Sequence, residues 1–513
     1  MTTLTSNASP PQTLAHRREA TSPAALPEQR ASAETARTLA SRFITLALCL
    51  AVVLSAVAFG TVHSWSIGIF HAGAAFIVVA WAADAWRTRR LRLSRNVLQL
   101  PLLGLCVLGL AQLLPLGEGA PDAGGLSSAP VRSLSLDPYT TRFVLIQLFS
   151  LLIYFAAALT FIDTQRRLRL VVRVITAFGF LLAVFGLTQY FVSPAKIFGL
   201  RETTQSIGFG PFINRHHFAG YMELALALPL GLLFSGAVER DRRLLYGFAA
   251  ALMGVALIMT NSRGGMLSLA AEVMFVVLAA GVGRRKKRAE AAAARPRALR
   301  LAARLGLGLG LVSALFAGVL FFGGEEALNR AVGTVNAKDP TTGRLQFWRG
   351  TVEMIRDHPL AGVGLGAFGV AYTKYDTSNG QVFRLEQAHN DYLQLLADAG
   401  VIGAALGLFF VVMLFRAGFR RMESGNDLRR GVALGALAGC FAVLLHSFFD
   451  FTLHTTANAL LFLVLAALAT INGRVEPSGR PRRRHRRPSP AISPSTVADG
   501  ETASDRAALA GGN

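Results

Sequence analysis

Twelve apolar runs constrain this chain more than any other feature: 43–62, 66–84, 97–116, 142–162, 171–191, 217–237, 246–261, 264–282, 305–322, 400–415, 431–449 and 456–472. A hydrocarbon core about 30 Å thick takes roughly 20 residues of apolar helix, because a backbone in lipid must pair its own N–H and C=O groups. The runs therefore predict an all-α integral membrane protein of about twelve transmembrane helices. Composition agrees, since 52% of the 513 residues are hydrophobic and 16% charged, against about 25% charged in an average soluble domain. That balance speaks against a soluble enzyme. Cys49, Cys106 and Cys440 each lie inside an apolar run with no CxxC spacing, so they offer neither a disulfide framework nor a zinc site.

A formal charge of +22 would suggest nucleic acid as partner in a soluble protein, but here the basic residues are sorted between spans. Lys and Arg near the ends of spans stay in the cytoplasm. With the N-terminal tail placed inside, 39 of the 52 Lys and Arg fall in the inside segments: the tail, Arg87 to Arg95, Arg166 to Arg173, Arg240 to Arg243, Arg284 to Arg304, Arg416 to Arg430, and Arg474 to Arg506. Both termini are expected in the cytoplasm. The runs GRRKKR at 283–288 and RPRRRHRR at 480–487 read as topology anchors against anionic lipid headgroups, and no nucleic-acid partner is expected.

The expected organisation is a disordered tail over 1–42, spans 1–9 over 43–322, an external segment over 323–399, spans 10–12 over 400–472, and a basic disordered tail over 473–513. The first tail lacks the tripartite pattern of a signal peptide. The external segment holds seven Lys/Arg against nine Asp/Glu. Loops of that length are binding or catalytic elements or are disordered, and this one carries helical periodicity.

After DPTTG at 339–343, Leu345, Trp348, Val352 and Ile355 recur as one helical face until His358-Pro359. Arg344 falls in the first turn, opposed by the positive end of the helix dipole; an anion nearby would account for it, and a solvated arginine at a frayed start is the plainer alternative. The run AGVGLGAF at 361–368 lacks the strand and crossover helix of a nucleotide loop, and reads as a tight turn where backbone approaches another helix. In AHNDYLQLLADAGVIG at 388–403, a helix leads into span 10 and His389 sits at its N-terminus. There the dipole disfavours the imidazolium and favours the neutral, proton-accepting form, although the residue could instead merely cap the helix.

TNSRGG at 260–265 puts Arg263 at the membrane surface, where an arginine meets a partner, a cavity or a lipid phosphate, or snorkels. NRHHFAGYME at 214–223 brings Arg215, His216, His217 and Glu223 to the outer end of span 6. Adjacent histidines diverge by about 100° on a helix, which makes a chelate weak, and Glu223 is expected to pair with an arginine. HSFFDFTLH at 446–454 spaces His446, Asp450 and His454 by four, but the turn between spans 11 and 12 should break that helix, so no metal site is expected.

Taken in order, NRHHFAGYME, TNSRGG, GRLQFWRGTVEMIRDHPLAGVGLGAF, AHNDYLQLLADAGVIG and HSFFDFTLH resemble the O-antigen ligase/O-antigen polymerase family of bacterial membrane glycosyltransferases. The resemblance covers about 140–472 and is most specific over 343–403. It implies a C-type glycosyltransferase architecture with a large helical periplasmic loop, in the bacterial inner membrane. It also implies an undecaprenyl-diphosphate-linked glycan donor, a glycan or lipid A-core acceptor, inversion at the anomeric carbon, and no metal or other cofactor. Carried onto this sequence, it makes His389 the base or orienting group for the acceptor hydroxyl, and Arg263 and Arg344 the diphosphate ligands. Arg215, Asn390 and Trp348 are read as substrate-binding. A lipid-linked glycan flippase or transporter is the competing class, but no paired halves with matching broken helices are evident.

Overall fold

The computed structural model describes residues 38–116, 133–193, 196–202, 207–280, 301–303, 305–313, 317, 344–376, 385–471 and 475. The expected tails therefore lie almost wholly outside the described residues, as do 323–343 of the external segment and 314–316 and 318–322 of the ninth apolar run.

The described chain is helical: α1 Leu39–Val57, α2 Ser64–Thr88, α3 Gln99–Gln112, α4 Pro138–Phe161, α5 Gln165–Val192, α6 Arg215–Ser235, α7 Arg243–Met259, α8 Arg263–Ala279, α9 Arg344–Asp357, the short α10 Phe368–Ala371, α11 Asp391–Met422, α12 Asp427–His446 and α13 Thr456–Ile471. The strands present among the described residues are a two-residue antiparallel pair, Lys196–Ile197 with Arg201–Glu202. Side-chain caps start many of the helices. Thr38, Asp137, Thr164, Asn214, Ser262, Asn390 and Asn426 each accept from a backbone N–H of the first turn, satisfying donors that have no partner within the helix.

Among the described residues, eight segments are long and apolar enough to cross a membrane: α1, α2, α4, α5, α6, Arg240–Met259, α11 and α12. Three more of the twelve apolar runs form shorter helices, α3, α8 and α13, of 14, 17 and 16 residues. The described residues of 305–317 are helical as well. Helices end inside their apolar runs where local geometry stops them. Past α1, the positive φ values of Phe59, Gly60 and Thr61 turn the chain while the sequence is still apolar. The helix α1 also begins at Leu39, four residues into the stretch expected to be a disordered tail.

Large apolar side chains such as Val79, Leu181 and Leu408 stand exposed on the bundle's flank, as lipid-facing residues must. The centre is the pair α6 and α12. In these two, 83% and 67% of the most apolar window is buried, against 33–44% in the other spans. Their contact is glycine against glycine: a Cβ on Gly231 would collide with the backbone of Gly431 and Gly435, and one on Gly435 with the carbonyl of Ala227. Gly439 continues the line, 2.9 Å from the Ala227 Cβ in the same construction. This is the small-residue seam by which membrane helices bring their backbones together.

Helix α11 is broken at Gly400 (φ 63, ψ −164), a conformation open to glycine. The backbone groups freed there are taken up by the segment before α10. Val401 and Ile402 N–H donate to the carbonyls of Pro359 and Leu360 (2.8 and 3.3 Å), and the carbonyls of Ala397 and Asp398 accept from Val363 and Gly364 (2.8 and 3.1 Å). Gln112, at the end of α3, adds donors to Ala361 and Asp398 carbonyls and accepts from Leu365 N–H. A Cβ on Gly362 or Gly400 would strike the opposing backbone. The run AGVGLGAF is thus a tight turn against another helix, as its sequence suggested.

Candidate active site

The starts of α6, α8, α9 and α11 meet the turn that follows α12, and one carboxylate sits at the junction. Asp450 is 1% exposed. Its Oδ1 lies 3.3 Å from His389 Nδ1 and accepts from Phe451 N–H at 2.9 Å; its Oδ2 lies 3.7 Å from His216 Nδ1 and 3.9 Å from Arg344 Nη2. Arg344 Nη1 donates to the carbonyl of Phe449, so the first residue of α9 is anchored to the same turn. His216 Nδ1 is 2.8 Å from the hydroxyl of Ser262, the N-cap of α8. The ends of four helices are thereby tied together by side chains from residues 46 to 234 positions apart in sequence.

Burial pushes the Asp450 carboxyl up, but the hydrogen bond from His389 and the positive charge offered by His216, His217 and His389 outweigh it and hold the group well below the usual carboxylate range. Asp450 is then ionised and can only accept, which makes His389 Nδ1 the donor and leaves Nε2 facing away from the carboxylate. The ring is set from a second side by Phe451, 5.0 Å away edge-on, which packs against His217 on its other flank at 4.8 Å. His389 has φ 51, a left-handed conformation that costs a non-glycine residue on the order of 1 kcal/mol or more and persists only where surroundings enforce it.

The enforcement is visible. Asn390 caps α11 by accepting from Tyr392 and Leu393 N–H (3.0 and 3.1 Å) and donates to the Phe448 carbonyl (3.2 Å). Asp391 accepts from Ser447 Oγ (2.7 Å) and Leu453 N–H (3.1 Å) and pairs with His454 Nδ1 at 2.7 Å. Burial pulls the His454 ring down, but its bond to Asp391 and the nearby carboxylates win, and the net shift is upward. Trp348 donates from its indole N–H to the Ala388 carbonyl at 3.0 Å, fixing the residue before His389.

The expected site residues thus divide. His389 and Arg344 converge on Asp450, and Arg263, first residue of α8, stands exposed beside Ser262 with no ion pair among the described residues. Arg215 lies at the head of α6 beside His216. Asn390 and Trp348, read from sequence as substrate-binding, have their polar groups engaged in holding the backbone around His389. The apolar face expected on α9 is rotated: Gly350, Thr351 and Met354 are buried while Leu345 is 47% exposed, because the helix packs Gly350 against Tyr372 and Tyr375. Glu223 pairs with His446 Nδ1 at 2.9 Å rather than with an arginine. The glycine seam brings α12 close enough for the shorter imidazole to reach it, while Arg215 is two helical turns away.

Sequence reasoning missed the central role of Asp450, which was weighed with His446 and His454 for metal binding alone. The available signal was an acid within an aromatic-rich turn, HSFFDFTLH. In the fold, His216, His446 and Asp450 bring one ligand atom each to within 4.8 Å of one another, a group that could hold a cation. Glu223 stands behind His446, as a carboxylate does behind many metal-binding histidines. The guanidinium of Arg344 faces the same Asp450 oxygen and offers that carboxylate a positive charge of its own.

No curated protein matches the chain. Residues 248–408, which include Arg263, Arg344, Trp348, His389 and Asn390, match the family model described as O-Antigen ligase. Over those residues the chain is similar to O-antigen ligases, and the eight apolar segments among its described residues make it a multi-pass membrane protein.

Proposed function

We propose that the protein transfers a saccharide from a polyprenyl diphosphate, of the undecaprenyl class, to an acceptor sugar hydroxyl at the periplasmic face of the inner membrane, with inversion at the anomeric carbon. The observation that carries this reading is the convergence of four helix N-termini, Arg344 and a His–Asp pair on one spot. Helix N-termini and guanidinium groups suit an anion, and a diphosphate gains negative charge as it leaves.

In this reading His389 Nε2 takes the proton of the acceptor hydroxyl as its oxygen attacks the anomeric carbon. The bond from that carbon to the diphosphate oxygen breaks, and the electron pair leaves with the diphosphate. Asp450 holds the imidazole in the tautomer that makes Nε2 basic and stabilises the imidazolium that forms. Arg344 and Arg263 take the developing charge, and Arg215 supports donor binding. The tails are cytoplasmic, and 323–399 is the catalytic loop. Transport is the weaker reading, because the centre of the bundle is filled by the α6–α12 seam, where backbones touch.

A purified assay with lipid-linked donor and acceptor tests the reading: His389→Ala should abolish transfer while the protein still folds, and near-normal turnover would sink it. Deleting the gene and running surface glycans on a gel distinguishes the two members of the family. Loss of every long chain on lipid A-core, with lipid-linked polymer still made, means a ligase; a single repeat unit on the core means a polymerase.

A further inference from the structure

At the far end of α11 from His389, a cavity of about 830 Å³ opens between the α2–α3 connection, the α4–α5 turn and the ends of α11 and α13. Its walls are tied together. Asn96 Nδ2 donates to Thr470 Oγ1 at 2.8 Å and Arg421 Nε to the Thr470 carbonyl at 3.0 Å. Arg92 spans the remaining gap, pairing with buried Asp84 at 2.8 Å and with Asp163 at 3.6 Å.

Two guanidinium groups on the lining are left over. Arg95 and Arg420 are exposed and make no ion pair among the described residues. They approach the cavity from different elements, and like charges facing one space repel unless an anion lies between them. Beside them the mixed lining carries exposed apolar side chains, with Leu91 and Leu93 67% and 64% exposed and Val97 and Met413 contributing further. A small soluble anion has no use for those residues. A molecule with a phosphate at one end and acyl chain at the other satisfies both halves, and basic pockets between membrane helices take such headgroups.

We propose that this cavity binds the phosphate of an anionic phospholipid from the adjacent leaflet, with Arg95 and Arg420 as its ligands. The lipid bridges the α2–α3 connection to the end of α11 and neutralises two charges that the protein leaves open. The site is separate from the His389 end and does not depend on the reaction proposed there.

The test is native mass spectrometry of the full-length protein in detergent, titrated with phosphatidylglycerol or with phosphatidylcholine of identical acyl chains. The wild type should prefer phosphatidylglycerol about thirtyfold, and Arg95→Gln or Arg420→Gln alone should each cut that preference about fivefold, the worth of one basic residue near an anionic surface. The double variant should abolish it. Arg173→Gln, an exposed arginine of α5 outside the cavity, should leave it intact. Equal retention of the two lipids by the wild type, or an unchanged preference in both single variants, overturns the site. Displacement of phosphatidylglycerol by millimolar inorganic phosphate overturns the lipid assignment in favour of a free-anion site. Melting temperatures without added lipid separate a lost site from a lost fold.

Discussion

The two ends of the bundle spend their charges differently. At the end that carries Arg92, Arg167 and Arg430, these three guanidinium groups are answered locally, although among the described residues Arg95 and Arg420 beside them are not: Arg92 by Asp84 and Asp163, Arg167 by Asp163 and the Phe161 carbonyl, Arg430 by Asp427 and the Ser235 carbonyl. At the His389 end, three side chains crowd one buried carboxylate at 3.3 to 3.9 Å, and Arg263 is not paired at all among the described residues. Pairs of the first kind fasten helices. An arrangement of the second kind, in the function proposed above, is completed when an anion arrives. Substitutions at the first end should therefore cost stability and spare turnover, and those at the second should do the reverse.

The largest effect expected is on transfer by His389→Ala and Asp450→Asn, each lowering kcat by about 10²–10⁴-fold, since in the proposed reaction one removes the base and the other its tautomer control. Their melting temperatures should stay near that of the wild type; a kcat loss no larger than that of a peripheral variant would erase the distinction between the ends. Arg263→Ala should cost about 10²-fold in transfer with no change in melting, as the loss of one preorganised donor to a developing anion. A fall in stability instead would make Arg263 a structural residue.

At the opposite end, Arg92→Ala leaves Asp84 buried without its cation and should destabilise by on the order of 2 kcal/mol, measured by thermal unfolding in detergent, while residual folded protein turns over normally. A smaller effect is expected from pH through His454. Its pKa is raised in the folded protein, so the stabilisation from its pair with Asp391 is fully present below the unfolded value of about 6.5 and fades as pH climbs through the raised one. The melting-temperature gap between wild type and His454→Asn should thus shrink from mildly acidic to alkaline pH, and a gap that widens would contradict the assignment. The smallest effect expected is none: a chelator should leave transfer unchanged. Loss restored by a divalent ion would mean that His216, His446 and Asp450 act as a metal centre.

Much of the fold was legible because lipid imposes a simple rule on sequence. The apolar runs located most helices to within a few residues, although α11 reaches nine residues before and seven beyond its run, and Arg92, Arg95, Arg420 and Arg421 from separate elements line one cavity. The site was partly legible. Arg263, Arg344 and His389 stand out because charged residues at helix starts conflict with the dipole or the bilayer. Asp450 did not, since its meaning lies in a contact made across 61 residues to His389 and 234 to His216. The pairing of Glu223 with His446 was hidden for the same reason, depending on the register of two helices far apart in the chain. Gly431, Gly435 and Gly439 were present in the sequence as a fourfold repeat, but their partner strip on α6 appears only when the helices are assembled.

That glycine seam joins the helix that begins with His216 to the one that ends just before Asp450. Flexible side chains elsewhere in the bundle can cushion a change of temperature, bilayer thickness or lipid composition. Two backbones in direct contact have nothing to compress, so the spacing between His216 and Asp450 at their ends should hold steady while the surrounding membrane changes its physical state.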